Sequence, residues 1–63
     1  MKNKLMELRA ENNLTQKNVA KAVDITTSFY GMLEVNKRKP SIDVAYKLAL
    51  FYHTTIEKIF FCE

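Results

Sequence analysis

Apolar residues recur at helical spacing along the chain, in short segments that polar residues separate. Between Lys2 and Asn12, Leu5 and Leu8 lie three positions apart and so share one face of a helix. The polar pair Asn12-Asn13 ends this segment, because asparagine favours a helix end over a helix interior. The pattern therefore predicts a first helix over residues 2–12.

Four hydroxyl-bearing residues predict the starts of four further helices. A Thr or Ser side chain at the N-cap position accepts a hydrogen bond from a backbone N–H that the helix leaves free. Each of these residues precedes apolar positions at helical spacing. The N-cap residues are Thr15, Thr26, Ser41 and Thr55, and the predicted helices cover 16–23, 27–35, 42–52 and 56–61.

The ends of three helices are marked by Asp24, Asn36 and His53. These residue types tolerate the left-handed backbone conformation that commonly terminates a helix. Pro40 cannot continue a helix, so the basic segment before it is predicted to be a loop. The fold class that follows is all-α, a compact bundle of five short helices in a single domain, residues 1–63. The predicted core-facing residues are Val19, Ala20, Val23, Ile25, Tyr30, Leu33, Ile42, Ala45, Leu48, Ala49 and Tyr52.

Composition and charge narrow the classes of protein. With 48% hydrophobic residues, one Gly and one Pro, the chain is neither disordered nor all-β. Residues 15–40 carry a net charge of +3, and residues 41–63 carry a net charge of −1. This asymmetry is compatible with one face that binds a polyanion and another that binds a protein. The single cysteine, Cys62, excludes an internal disulfide and favours a cytoplasmic setting. Without a leader or a long apolar segment, no membrane association is expected.

Two short helices joined by a tight turn, predicted over 16–23 and 27–35, have the arrangement of a helix-turn-helix, whose second helix enters the DNA major groove. The segment LTQKNVAKAVDITTSFYGMLEVNKRKPSIDVAYKLA, residues 14–49, resembles the helix-turn-helix of the phage repressor and Cro regulators, the xenobiotic-response-element family. The resemblance extends from about Lys4 to Phe60. The matching residues are Leu14-Thr15-Gln16, Val19-Ala20, Ile25-Thr26, Leu33-Glu34, Pro40-Ser41, Ile42, Ala45, Leu48 and Ala49, with TTIEKIFF as the family's last helix.

This resemblance implies a lambda-repressor-like domain that binds double-stranded DNA. Gln16 would contact a phosphate, together with the free N–H groups that begin its helix. Arg9 and Glu34 match a pair that forms a structural salt bridge. The residues expected to contact DNA are Gln16, Lys17, Thr26, Thr27, Ser28, Phe29, Met32, Asn36, Lys37 and Arg38. Among them Thr27, Ser28 and Met32 match base-reading positions, and Lys37 and Arg38 match backbone-contacting positions.

The recognition helix departs from the family's common pattern because it lacks Arg, Asn and Gln. Thr27 and Ser28 can each offer one hydroxyl contact, while Phe29 and Met32 can pack on thymine methyl groups. We therefore hypothesise a preference for A·T-rich sites. Gly31 leaves two interpretations open. Either its missing side chain lets the helix backbone approach a phosphate or a thymine closely, or the glycine has no role in binding. In the second case it is a tolerated surface residue, or it relieves crowding between Tyr30 and a neighbouring helix.

The C-terminal half carries more apolar residues than one helix face can bury, and an exposed apolar patch indicates an interface. Relatives in this family commonly dimerise through the last helix and its flanks. A homodimer is therefore expected, with Phe51, Ile59, Phe60 and Phe61 contributing; alternatively, Phe51 and Phe60 fill the core.

The function expected is a sequence-specific transcriptional regulator, a repressor, because the chain has no room for an effector domain. It would bind an inverted-repeat operator as a homodimer. The alternative is an antitoxin or immunity-type regulator that acts mainly through a protein partner.

An enzyme is not expected, since the chain lacks paired carboxylates, a Ser-His-Asp set, a glycine-rich phosphate loop and a metal-ligand cluster. No cofactor or metal is expected either. His53 is interpreted as a residue that ends a helix, and Cys62 is interpreted as an incidental thiol. The expected location is the cytoplasm, with nucleoid association when DNA is bound.

Overall fold

Five α-helices make up the regular structure of residues 3–61, which are the residues that the computed structural model describes. They are α1 Leu5–Glu11, α2 Gln16–Ala22, α3 Thr27–Glu34, α4 Ile42–Phe51 and α5 Ile56–Phe60. The predicted all-α fold class is confirmed. Helices α2 to α5 each end one residue before the predicted boundary. Their last predicted residues are the C-caps Val23, Val35, Tyr52 and Phe61, whose N–H groups still donate to the helix although their backbone has left it.

Helix α1 starts later than predicted. Lys2 lies outside the described residues, and Lys4 is the N-cap residue of the helix. The Lys4 backbone N–H donates to the Ile59 carbonyl at 3.0 Å, and the Leu5 N–H donates to Asn3 Oδ1 at 2.9 Å. The start of α1 is therefore tied to α5, a contact between opposite ends of the chain.

The four predicted N-caps are confirmed. Each hydroxyl accepts from the backbone N–H three residues ahead, which contributes about 1 kcal/mol per helix. The donor–acceptor distances are 3.0 Å for Thr15 and Asn18, 3.0 Å for Thr26 and Phe29, 3.2 Å for Ser41 and Val44, and 3.2 Å for Thr55 and Lys58. In α2 the Thr15 N–H also donates to Asn18 Oδ1 at 3.0 Å, which completes a capping box. These bonds matter because helices of five to ten residues are marginal on their own.

The three residues predicted to end helices in the left-handed conformation are also confirmed. Their φ angles are 61° for Asp24, 62° for Asn36 and 56° for His53. Asn13, at φ 55°, is a fourth residue of this kind. After each of them, the next backbone N–H bonds the carbonyl five residues back, as in the Schellman motif. These bonds join Leu14 to Arg9, Ile25 to Ala20, Lys37 to Met32 and Thr54 to Ala49, at 2.9 to 3.1 Å.

The core lies where all five helices meet. Its buried hydrophobic residues are Leu5, Val19, Ala20, Val23, Tyr30, Leu33, Ala45, Leu48, Ala49, Tyr52, Ile59 and Phe60. Ile25 is half-buried against this core. One core prediction is wrong, because Ile42 is 80% exposed. It is the first residue of α4, and side chains on a helix lean toward its N-terminus, so Ile42 extends past the core.

The left-handed exit at His53 generates a stability prediction. His53→Gly should raise the free energy of unfolding by about 1 kcal/mol, because glycine adopts positive φ without a Cβ clash. His53→Val should lower it, because a β-branched residue is an outlier there. Urea unfolding gives both values. The control is Lys47→Gly, at an exposed position in the middle of α4. This substitution should lower the free energy of unfolding by about 1 kcal/mol, because glycine is unfavourable inside a helix. The ordering Gly above His above Val at position 53 is the decisive result, and any other ordering contradicts it.

Candidate nucleic-acid interface

Helices α2 and α3 form a rigid pair that presents the outer face of α3. The turn between them runs through Asp24 and Ile25, and the Ile25 N–H bonds the Ala20 carbonyl at 2.9 Å. On the inner side of α3, Tyr30 and Leu33 are completely or almost completely buried. This anchoring leaves the opposite face of α3 directed away from the core, which is the arrangement that a recognition helix needs.

The predicted base-reading residues occupy that outer face. Thr27 and Ser28 are exposed, and Met32 and Gly31 are half-buried. Thr27 and Ser28 also stand in the first turn of α3, the end of a recognition helix that reaches base edges.

Two neighbouring residues of the predicted DNA-contact set have structural roles as well. Phe29 is half-buried and packs against the core, so only part of its ring surface remains for a partner. The Thr26 hydroxyl accepts the Phe29 N–H as the N-cap of α3, which leaves its own O–H free to donate.

A buried carboxylate joins the first three helices. Glu34 is 6% exposed, and it is the one buried charged residue within 3–61. Arg9 of α1 donates to it through Nε at 2.6 Å and through an Nη at 3.2 Å, so the salt bridge that the resemblance implied is present. Gln16 of α2 also donates, from Nε2 to Glu34 Oε1 at 2.9 Å. Three side chains from three helices therefore meet at the C-terminal end of α3.

This network lowers the pKa of Glu34 below its ordinary value of 4.5. Burial acts most strongly on this group and would raise the pKa, but the hydrogen bonds from Arg9, Gln16 and Tyr30 together with the Arg9 charge outweigh it. The Tyr30 hydroxyl lies 2.9 Å from the Tyr52 hydroxyl, and burial raises the pKa of both phenols. The polar network thus extends from α1 to the end of α4.

Gly31 lies against the side chain of Gln16, which neither interpretation of this glycine anticipated. A Cβ added to Gly31 would stand 3.3 Å from Gln16 Oε1 and 3.5 Å from its Nε2. The side chain that Gly31 leaves room for is Gln16 of α2, and the expected crowding between Tyr30 and a neighbouring helix is not what an added Cβ would meet. Fifteen residues separate the two positions, so no local sequence signal could have revealed the contact.

A basic loop follows α3. Lys37, Arg38 and Lys39 are all exposed, and Lys17 is exposed in the first turn of α2. The loop is held in place by Asn3, whose Nδ2 donates to the Leu33 carbonyl at 2.8 Å and to Asn36 Oδ1 at 2.9 Å. Sequence reasoning missed Asn3, because nothing near it in the chain indicates bonds to residues 30 and 33 positions away.

The residues predicted for a dimer interface separate into two groups. Ile59 and Phe60 are 0% and 3% exposed, so both are core residues of the single chain, which for Phe60 is the alternative given above. They turn inward because α5 needs its apolar side to close the bundle. Phe51 is half-buried with its ring edge-to-face against Tyr52, at a centroid distance of 5.0 Å. Phe61 is 68% exposed. Cys62 lies outside the described residues.

An open apolar groove adjoins Phe61. Its volume is about 210 Å³, and it runs between the loop after α3, the start of α4 and α5. The lining residues are Lys39, Pro40, Ser41, Ile42, Ala45, Ile56, Phe60 and Phe61. Exposed apolar surface of this kind is characteristic of a protein interface.

Other kinds of site find little support in the described part of the chain. Residues 3–61 contain no group of three or more His, Cys, Asp or Glu side chains that could hold a metal ion. Within the same range, every helix is too short or too polar to cross a membrane.

The fold and this interface define a helix-turn-helix protein of the Cro/C1 type. A family profile described as Helix-turn-helix matches residues 5–59, and the chain belongs to that family. It is a transcriptional regulator with a helix-turn-helix DNA-binding domain. The family is one of DNA-binding regulators and not a class of enzyme.

Relatives support the same assignment. The chain is 41% identical to an uncharacterized HTH-type transcriptional regulator of Methanocaldococcus jannaschii, over 100% of this chain and 96% of that protein. It is 38% identical to one of Archaeoglobus fulgidus, over 95% of this chain and 84% of that protein. A third similar protein, from Bacillus subtilis, is 42% identical over 76% of this chain and 63% of its own length.

The buried network generates a prediction about pH. The folded state holds Glu34 ionised, so its contribution to stability is present at neutral pH and is lost as the pH falls below about 4.5. Glu34→Gln should therefore cost about 2 kcal/mol at pH 7, because the Arg9 guanidinium loses its charged partner. The difference between wild type and variant should shrink as the pH is lowered through the acid range.

Urea unfolding at a series of pH values measures this difference. Glu11→Gln, a substitution at an exposed position of α1, is the matched control and should change stability by less than about 0.5 kcal/mol at pH 7. A Glu34→Gln penalty that stayed constant down to pH 3 would contradict the assigned role of the ionised carboxylate.

Proposed function

We propose that this regulator binds double-stranded DNA sequence-specifically through α3 and acts as a homodimeric repressor on an inverted-repeat operator. The observation that carries the proposal is the outer face of α3, where Thr27 and Ser28 are exposed in the first turn of an anchored helix that a basic loop follows. A dimer that occupies promoter DNA represses by excluding other proteins from it, so binding alone is sufficient for this action.

The chemistry of α3 favours reading by hydroxyl and methyl contacts. Thr27 and Ser28 each supply one hydroxyl, and Met32 supplies an apolar side chain that fits against a thymine methyl. Phe29 adds the part of its ring that the core leaves uncovered. None of these residues can make the bidentate bonds with which Arg reads guanine or Asn and Gln read adenine. An A·T-rich half-site is therefore the proposed target.

Phosphate contacts would hold this helix in register. Lys37 and Arg38 lie three and four residues after the end of α3, and Gln16 and Lys17 open α2, so cations and hydrogen-bond donors flank α3 along the chain. Contacts of this kind position a protein on the duplex without carrying sequence information. Their removal should weaken binding to all sequences about equally.

Selection of bound duplexes from a randomised library tests the proposal. We expect enrichment of an A·T-rich inverted repeat with half-sites about 34 Å apart. Lys37→Ala and Arg38→Ala should each weaken binding and reduce the slope of log affinity against log salt by about 1. Met32→Ala should instead change the preferred bases and leave the slope unaltered.

Lys58→Ala, a change of one exposed lysine on α5, is the control and should leave the salt slope unchanged. Enrichment of a G·C core opposite α3 would refute the base-reading model, whereas affinity that is independent of salt would refute DNA binding itself.

The groove beside Phe61 supports the homodimer. Phe61 and Ile42, 68% and 80% exposed, flank an apolar surface that a second copy could cover. A small domain gains much from such a partner, since a chain of about 60 residues buries only about 60% of its unfolded surface. Phe51, which is half-buried, stays a proposed contributor to the dimer.

Phe61→Lys should therefore convert a dimer into a monomer, because a charge in an apolar interface is left without a partner. Sedimentation equilibrium measures the change, and DNA affinity should fall with it. Leu50→Lys is the matched control, since Leu50 is similarly exposed, at 57%, but does not line the groove. A Phe61→Lys protein that remains dimeric would exclude this groove as the interface.

A second candidate function, binding of a partner protein, is favoured by a stripe along α4. Ile42, Tyr46 and Leu50 lie four residues apart on one face, and each is more than half exposed. Loss of a partner, but not of the dimer, on Leu50→Lys would support an antitoxin-like role through this surface.

A further inference from the structure

We infer that Gly31 is a positioning residue for DNA binding, because its missing side chain lets the Gln16 amide lie against α3 and bond Glu34. This inference rests on the proposed function, in which Gln16 contacts a phosphate. It assigns a role to the one glycine of the chain, which stands inside a helix where glycine is otherwise unfavourable.

The backbone at Gly31 does not itself require glycine, since the residue lies within α3 and its φ is not positive. Space is the constraint. Outside its own helix backbone, the three atoms nearest to an added Cβ all belong to the Gln16 side-chain amide, at 3.3 to 3.6 Å. A contact of 3.3 Å is tighter than carbon and oxygen prefer, so even an alanine at this position requires the Gln16 amide to shift away from α3.

The position of the Gln16 amide matters because the buried Glu34 carboxylate orients it. Gln16 Nε2 donates to Glu34 Oε1 at 2.9 Å, and Arg9 fixes the same carboxylate from the other side. One N–H of the amide is therefore used and orients the side chain, and the second N–H remains for a ligand. Gln16 is only half-buried, so a phosphate can reach it. A side chain held in its binding conformation before the ligand arrives loses less freedom on binding.

A double-mutant cycle tests this inference. Gly31→Ala should weaken binding to the selected duplex about tenfold, the equivalent of one hydrogen bond to a charged group. Its urea midpoint should stay close to that of the wild type, because the higher helix propensity of alanine offsets the weakened bond between Gln16 and Glu34. Gln16→Ala should weaken binding to a similar extent. In the Gln16→Ala background, Gly31→Ala should have no further effect on affinity.

The double-mutant cycle also distinguishes this inference from a close approach of the α3 backbone to DNA. An equal penalty from Gly31→Ala in both backgrounds would mean that the α3 backbone itself approaches DNA, and would overturn the inference. No penalty in either background would overturn it as well. If the wild type selects no duplex, the proposed function fails; if it binds and Gln16→Ala binds equally well, the function stands and only this inference fails.

A direct measurement on the free protein completes the test and remains valid if the Gly31→Ala variant is less stable than expected. In the wild type, the two Gln16 side-chain amide protons should have well-separated NMR signals, and the one bonded to Glu34 should exchange slowly. In Gly31→Ala these signals should move toward those of an exposed glutamine. Unchanged Gln16 signals in Gly31→Ala would show that the glycine does not position this side chain.

Discussion

The structure depends on one buried negative charge. Glu34 ends the recognition helix inside the protein, and a carboxylate there is tolerated only with charged or hydrogen-bonding partners around it. Arg9 and Gln16 provide them from the two preceding helices. Because each bond has a narrow range of distance and angle, the three bonds together set how α1, α2 and α3 sit against one another. If α3 enters a DNA groove as proposed, these bonds also set the angle of its approach.

The local features of the fold were predictable from the sequence, and the reason is physical. An N-cap bond spans three residues and a left-handed exit involves one, so Thr15, Thr26 and Asp24 carry their signals within their own neighbourhood. These devices also explain how a chain with a single glycine makes four tight helix ends. Ile42 was predicted wrongly because periodicity reports which face is apolar but not where along the helix the core stops.

The candidate site was predictable to the same degree. Helical spacing alone placed Tyr30 and Leu33 inward and Thr27 and Ser28 outward, as the structure has them. The contacts between distant segments were not accessible to this reasoning. Gln16 against Gly31, and Asn3 against the loop after α3, each depend on how two helices approach, which no spacing within one helix encodes.

The composition of α3 connects the reading of DNA to assembly. If α3 reads DNA as proposed, each half-site offers hydroxyl and methyl contacts, and these discriminate less than the about 1–3 kcal/mol of a bidentate pair. A single domain would then distinguish its operator only weakly from the many competing sites of a genome. Two half-sites bound together add their discrimination, and they do so only when both recognition helices are held at a fixed separation. On this argument, a weakly reading helix makes the apolar groove beside Phe61 part of the specificity of the regulator as well as of its stability.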